Sequence, residues 1–319
     1  MKRIVPDVRA ILFALIIFSS SYKSFSQSVT LGNGKVEVGL GLGPLIFLGD
    51  LGGARGIGRT FIKDIDYPLT KFSKGIFLSV SPNEWLGFRV AVNTGVLEGD
   101  DKQAPNKGGD EVFRLDRNLN FRTKLLEGYV SAEFYPTVFL EQYDGLKGKI
   151  RPYGIIGVGM YHFNPKARDD NGQWVALQPL HTEGEGFAEY PDRKVYKLTQ
   201  AEIPMGFGFK YYLKENMFIG LEVLHRKLFT DYIDDVSTNY IDPVYFDTYL
   251  SAPDAAAARR LNYRGTYSWV SRPSDVVGEQ RGDPKQNDAY FSTIIRMGWR
   301  LNSDEYSGAR RQLRCPKFY

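Results

Sequence analysis

Eight segments of the 319-residue sequence alternate between apolar residues and polar or small ones. A period of two places the apolar side chains on one face of an extended strand, whereas a helix repeats about every 3.6 residues. In the first segment, Val36, Val38 and Leu40 would lie opposite Glu37. The segments are 35–43, 75–80, 86–93, 126–134, 153–163, 200–210, 219–226 and 291–301. They predict strands, with the facing of the glycine-rich fifth segment left open.

The connections between these segments alternate in length. Long connections of about 25 to 60 residues follow the first, third, fifth and seventh segments, and shorter turns such as "SPNE" (81–84) and "LKEN" (213–216) lie between them. A soluble β-sandwich has no reason to alternate in this way, but an outer-membrane barrel does. We therefore predict an all-β fold: an eight-stranded antiparallel up-and-down transmembrane β-barrel with long extracellular loops and a short periplasmic C-terminal tail.

The N-terminus has the features of an export signal. Lys2, Arg3 and Arg9 accompany the apolar run "AILFALIIF" (10–18), which is too short to span a bilayer. We predict a signal peptide at 1–27, an outer-membrane barrel at 28–301 and a periplasmic tail at 302–319. The leader holds four cations and one acid, so the formal net charge of +4 falls to +1 without it. The charge therefore does not indicate a nucleic-acid-binding protein.

An even number of strands also predicts the orientation of the chain. Both termini and the short turns would lie on the periplasmic side of the outer membrane, and the long loops outside the cell. Trp85, Tyr153, Tyr211, Leu213 and Trp299 would then lie at the periplasmic rim. Aromatic residues favour membrane–water interfaces, so these positions predict an aromatic girdle.

The face of each strand that is turned away from lipid carries charge. Its acids are Glu37, Glu127, Glu133, Glu202 and Glu222, and its bases are Arg89, Lys210, Arg226, Arg296 and Arg300. An eight-stranded barrel is only wide enough for its own side chains, and buried charges persist when they are paired. The pattern favours a salt-bridged plug; a narrow pore or a ligand-binding barrel is the alternative.

The residues that catalysis would need are sparse. The three histidines are His162, His181 and His225, and His225 is followed by Thr230 and Asp231 but by no nearby serine. A barrel acyl-hydrolase needs a nucleophile, a histidine and an orienting acid together. We predict that the protein is not an enzyme and needs no cofactor; a barrel enzyme acting on outer-membrane lipid is the alternative.

An acidic stretch follows the seventh segment. In "FTDYIDDVSTNYID" (229–242), Asp231, Asp234 and Asp235 are candidate oxygen ligands for Ca²⁺. Their spacing does not match a D-x-D-x-D loop, and aspartate also favours turns and caps. Further along the same loop, "APDAAAARRL" (252–261) predicts a short helix that starts near Asp254.

The C-terminal tail contains the only cysteine, Cys315. It stands among Arg310, Arg311, Arg314 and Lys317, a cationic group that suits an acidic partner. In the periplasm disulfides persist, so Cys315 is either a free thiol or bonded to another chain. We predict that these five residues bind a periplasmic partner.

Three stretches, "FLGDLGG" (47–53), "FTDYIDDVST" (229–238) and "RCPKF" (314–318), resemble a family of small outer-membrane barrels, the PorG-like family of the type IX protein-secretion and gliding machinery. The resemblance covers nearly the whole chain after the leader, although the family has paralogues. It implies a non-catalytic barrel in the outer membrane. It further implies that the periplasmic side associates with a ring of secretion proteins that includes a lipoprotein.

Overall fold

Eight long strands form the body of the molecule. The computed structural model describes residues 35–51, 70–103, 111–140, 146–265 and 273–301. The predicted leader and the predicted tail with Cys315 lie outside these ranges. The long strands are β1 (Lys35–Leu48), β2 (Lys71–Ser81), β3 (Leu86–Asp100), β4 (Asn120–Phe134), β5 (Ile150–His162), β8 (Thr199–Lys214), β9 (Met217–Leu228) and β10 (Ala289–Arg300). Two short strands, β6 (Lys166–Arg168) and β7 (Trp174–Ala176), form a hairpin beyond β5.

The eight strands close on themselves. Each pairs antiparallel with its neighbour along the chain, and β10 pairs with β1 from Glu37 opposite Arg300 to Leu48 opposite Ala289. The pairing of β3 with β4 runs the whole length of both strands, from Leu86 opposite Phe134 to Asp100 opposite Asn120. The fold is therefore an eight-stranded antiparallel up-and-down barrel, as the alternating segments predict.

The two ends of the barrel differ. At one end, which we call the turn end, lie Lys35, Leu301, the connections 82–85 and 215–216, and the described parts of 135–149. At the other, the loop end, lie the connection 163–198 and the described parts of 49–70, 101–119 and 229–288. Most of the described residues outside the eight long strands therefore lie at the loop end.

The loop-end connections fold into a layer of their own. Helices α1 (Glu111–Arg117), α2 (Val244–Tyr249) and α3 (Ala252–Asn262) belong to it, as does the β6–β7 hairpin. We call the described parts of 163–198 and 229–288 the cap; its core is formed by Leu177, Leu180, Phe187, Ile241, Phe246, Ala255, Ala258 and Leu261. No helix in the described part of the chain is long and apolar enough to cross a membrane.

Helix α3 is the predicted short helix near Asp254. Its N-cap is Ser251, whose Oγ accepts a hydrogen bond from the Asp254 backbone N–H at 3.4 Å. A serine in this position satisfies one of the N–H groups that the first helical turn leaves free. The small residues Ala255 and Ala258 are fully buried in the cap core, so the helix lies close to its neighbours.

Glycines on the inner face of the wall make room for interior rings. A Cβ atom on Gly39 would lie 2.6 Å from the Phe77 ring, and one on Gly298 would lie 2.3 Å from the Phe218 ring. Both distances are shorter than two non-bonded carbon atoms can approach. The alternation of glycine with outward apolar residues in β1, and the single glycine of β10, therefore reflect the space that the interior aromatics occupy.

Candidate functional site

The interior of the barrel contains a continuous network of paired charges. Towards the turn end, Lys210 Nζ lies 2.7 Å from Glu37 Oε2 and 3.4 Å from Glu133 Oε2. Arg300 Nη2 lies 3.4 Å from Glu37 Oε1, and the Tyr212 hydroxyl donates to the same oxygen at 3.2 Å. The Tyr135 hydroxyl donates to Glu133, so Glu37 and Glu133 each meet a cation and a phenol.

In the middle of the barrel, Glu222 is the common acceptor. Arg89 Nη1 donates to it at 2.6 Å, Arg296 Nε at 2.9 Å and the Tyr153 hydroxyl at 2.7 Å. Arg89 also pairs with Glu133, which links this group to the one at the turn end. Charge-assisted hydrogen bonds of this kind are stronger than neutral ones and fix side-chain orientation.

Towards the loop end, the network is built on Glu127. Arg226 donates through Nη2 to Glu127 Oε1 at 2.6 Å and through Nε to Oε2 at 3.1 Å. Asn93 Nδ2 donates to Oε1 at 2.6 Å. The Tyr290 hydroxyl lies 2.7 Å from Glu127 Oε2 and 2.6 Å from Glu202 Oε2, so it connects the two glutamates.

The structure places all ten charged residues predicted for the interior inside the barrel. The most exposed of them is Arg300, at 9%. Nine of the ten form ion pairs; Glu202 has a hydrogen bond to Tyr290 but no cation partner among the described residues. The sequence does not predict Arg151, a further buried cation, because the facing of the glycine-rich fifth segment cannot be read from it. Arg151 lies 3.4 Å from Glu84.

The outer surface of the barrel carries a band of exposed apolar side chains, which we call the belt. It includes Val38, Leu40, Leu42, Ile76, Leu78, Phe88, Val90, Val92, Leu126, Val130, Phe134, Ile156, Val158, Met160, Phe207, Phe209, Ile219, Ile295 and Met297. Water-soluble proteins rarely expose a contiguous apolar surface of this extent. The belt is the surface that a bilayer would cover.

The predicted aromatic girdle is correct in four positions and wrong in one. Trp85, Tyr211, Leu213 and Trp299 are exposed near the turn end of the belt. Tyr153 is instead 3% exposed and points into the barrel, where its hydroxyl donates to Glu222. The error has a simple cause: a shift of one residue along a strand moves a side chain to the opposite face.

Buried polar groups connect the parts of the cap. Arg281 Nη1 donates to Glu183 Oε1 at 2.8 Å and to the Asp235 backbone carbonyl at 2.6 Å. The Asp235 carboxylate accepts from the Tyr196 hydroxyl at 2.6 Å and from Thr182 Oγ1 at 2.5 Å. Burial raises the pKa of Asp235 to about 6, although the Arg281 charge and these hydrogen bonds oppose the shift.

Of the three aspartates predicted as metal ligands, Asp234 and Asp235 accept hydrogen bonds that hold the cap together, and Asp231 is buried near them. Asp234 accepts from the backbone N–H groups of Leu51 and Val236, each at 3.0 Å, and so ties the end of β1 to the cap. Burial raises the pKa of Asp231 to about 9, and the nearby Asp50 adds to the cost of its charge. Within the described ranges, no group of three His, Cys, Asp or Glu residues is arranged to hold a metal ion. Metal binding stays a prediction.

The three histidines lie on separate elements. His162 Nδ1 is 2.9 Å from Thr199 Oγ1 at the loop end of β5. His181 lies in the cap with a left-handed backbone (φ 48°) and its ring against Phe187. His225 is on β9, opposite Phe291 of β10 and on the same face as Val223.

The fold and its surfaces define a closed β-barrel with a charged, filled interior, an apolar belt and a folded cap. No protein-family model matches the chain, and no curated protein matches it.

Similar solved structures include OprG of Pseudomonas aeruginosa, with 11% identity, 85% of this chain and 97% of that chain covered, and a TM-score of 0.37. A major outer membrane protein of Thermus thermophilus has 11% identity, 84% and 99% coverage and a TM-score of 0.37. Ail of Yersinia pestis has 9% identity, 84% and 97% coverage and a TM-score of 0.34. The eight-stranded barrel is defined by its own strand pairing.

Proposed function

We propose that this protein is an outer-membrane β-barrel whose belt contacts lipid and whose cap lies outside the cell. The observation that carries the proposal is the belt: apolar side chains face outward on the strands of a closed barrel while charged ones face inward. This is the inverse of a soluble barrel and is the pattern of an outer-membrane barrel. Both termini of such an even-stranded barrel lie in the periplasm.

Within the membrane the protein acts as a non-catalytic anchor. The ion pairs among Glu37, Glu133, Glu222, Arg89 and Lys210 support this role, because they occupy the space through which a solute would pass. Paired buried charges are costly to separate, so the network favours one rigid arrangement over an open pore.

The anchor serves a type IX protein-secretion and gliding machinery. What supports this part is the resemblance of 47–53, 229–238 and 314–318 to the PorG-like barrels. The turn end and the tail would dock a periplasmic ring protein or lipoprotein. Arg310, Arg311, Arg314 and Lys317 would attract an acidic surface, and Cys315 would bond covalently to the partner.

The test is deletion of 302–319. We expect the truncated barrel to insert in the outer membrane in normal amount, measured by fractionation and by the shift in gel mobility on heating, while secretion of cargo into the medium falls. Unchanged secretion with a correctly inserted barrel would contradict docking through the tail.

The full-length Cys315→Ser variant is the matched control for the covalent bond. We expect a non-reducing gel of native membranes to show a heavier adduct with the wild type and only monomer with the variant. Monomer alone with both proteins would contradict the covalent part of the proposal.

A further inference from the structure

Glu202 is the interior carboxyl group that differs from the others. It is 1% exposed, on the inner face of β8 towards the loop end. The groups that face it are Glu127 from β4, Tyr161 from β5, Arg226 from β9 and Tyr290 from β10. The only cation in this group, Arg226, directs two N–H groups to Glu127 and the remaining nitrogen to Ser292 and the Leu224 carbonyl.

The hydrogen atoms around Tyr290 can be counted. Its hydroxyl oxygen lies 2.7 Å from Glu127 Oε2 and 2.6 Å from Glu202 Oε2, and both distances are those of O–H···O hydrogen bonds. A phenol has one proton to donate, and an ionised carboxylate has none. Two hydrogen bonds at one phenol therefore need a second proton, held by one of the two glutamates.

The partners of the two glutamates decide which one holds it. Glu127 accepts from Arg226 and from Asn93, in addition to Tyr290, so its charge is balanced and all of its near neighbours are donors. Among the described residues, no cation lies within ion-pair distance of Glu202, and its Oε1 has no hydrogen-bond partner. A proton on Glu127 would neutralise the carboxylate that pairs with Arg226 and leave that arginine without a counter-ion. A proton on Glu202 instead removes an uncompensated buried charge.

We propose that Glu202 is a proton-binding site of the folded barrel, a neutral carboxylic acid that donates from Oε2 to the Tyr290 oxygen. Tyr290 in turn donates to the ionised Glu127, which pairs with Arg226. Removal of the proton would leave two ionised carboxylates within hydrogen-bond distance of one phenol, and Arg226 is the one cation in this group. The unfolded chain, in which a glutamate ionises freely, does not hold this proton at neutral pH. The folded state therefore loses stability as the pH rises above the pKa of a free glutamate, until the proton also leaves the folded barrel.

The first test is infrared spectroscopy of the full-length protein in detergent micelles at neutral pH. We expect the wild-type spectrum minus that of Glu202→Gln to contain the C=O stretch of a protonated carboxyl group, which a carboxylate lacks. The difference between wild type and Glu222→Gln should lack that band, because Glu222 is ionised and its partners, Arg89, Arg296 and Tyr153, are separate from Glu202. A Glu202→Gln difference that shows only a carboxylate would overturn the proposal.

The second test compares thermal unfolding, followed by β-sheet circular dichroism. A glutamine amide can donate to Tyr290 as the acid does, but it does not ionise in the unfolded chain. Glu202→Gln should therefore unfold near the wild-type temperature at a pH below the pKa of a free glutamate, and above the wild-type temperature at neutral and alkaline pH. Glu127→Gln should unfold at a clearly lower temperature because it leaves Arg226 without its counter-ion. Equal destabilisation by the two substitutions, or failure of Glu202→Gln to fold, would count against a neutral Glu202.

Discussion

At the scale of single residues, Glu222 shows how the barrel tolerates buried charge. Three donors converge on its two oxygens: Arg89, Arg296 and the Tyr153 hydroxyl. A buried ion pair contributes little net stability compared with an apolar pair, because desolvation offsets most of the attraction. Loss of one partner is different, since it leaves the remaining charge buried without compensation.

We expect Glu222→Gln to lower the free energy of unfolding by about 3 kcal/mol or more, because Arg296 loses its charged partner and Arg89 keeps only Glu133. Urea unfolding in micelles measures the change. The control is Glu98→Gln: Glu98 pairs with Lys71 and Arg122, two cations that are well exposed. There we expect a change within ~1 kcal/mol. Equal effects of the two substitutions would contradict the importance of the interior network.

The sequence predicts the interior position of the ten charges because the period of two assigns each residue to a face. It cannot predict which charges meet, since partners come from strands far apart in the chain; Lys210 and Glu37 are an example. For the same reason the sequence does not reveal that Glu202 lacks a cation among the described residues. The prediction for Tyr153 is wrong because its position at the start of the fifth segment indicates its height in the barrel but not its face, and the glycine-rich alternation there does not assign one.

At the scale of the strand, the inner and outer faces of the barrel wall differ in the space that they leave for a side chain. Gly39 faces inward, and a Cβ there would approach the Phe77 ring at 2.6 Å and the Met297 carbonyl oxygen at 2.2 Å. Gly128 faces outward within the belt, and a Cβ there would meet nothing closer than the Ala91 carbonyl oxygen at 3.9 Å. The two glycines are a matched pair in the same kind of element.

We expect Gly39→Ala to destabilise the barrel by about 1–3 kcal/mol, because the backbone or the Phe77 ring has to shift. Gly128→Ala should be neutral or stabilise it by up to about 1 kcal/mol, because alanine restricts the unfolded chain and fits the open space. Urea unfolding of both variants under the same conditions compares the two. Equal destabilisation by both substitutions would mean that interior packing does not explain the inward glycines.

The cap is the element that the sequence predicts least well. Its α3 helix is expected, because alanines follow a serine N-cap. The β6–β7 hairpin has only three residues in each strand, too few for an alternating pattern to stand out. The hydrogen bond of Arg281 to Glu183 joins two connections that strands β8 and β9 separate in the chain. Such contacts leave no periodic signal in the sequence, so the sequence predicts these segments only as long loops.

At the scale of the whole molecule, the apolar belt and the charged interior have to be explained together. In water, the belt would be an uncompensated apolar surface around a core of desolvated charges. In a bilayer the same arrangement is favourable, because lipid covers the belt and the closed strand pairing satisfies the backbone. The molecule therefore makes physical sense only with its strands across a membrane and its cap outside it.

We therefore expect the cost of a charge to depend on its height along the molecule. Val130, 53% exposed, lies midway along the belt on β4, and Val244, 56% exposed, lies on the cap at the start of α2. In lipid vesicles we expect Val130→Arg to lower the free energy of unfolding by ~2–4 kcal/mol, the cost of an arginine near the bilayer midplane. Val244→Arg should change it by less than ~1 kcal/mol, because water surrounds the cap. Equal costs at the two positions would contradict a lipid-facing belt, since the two side chains are equally exposed and differ only in the medium we assign to them.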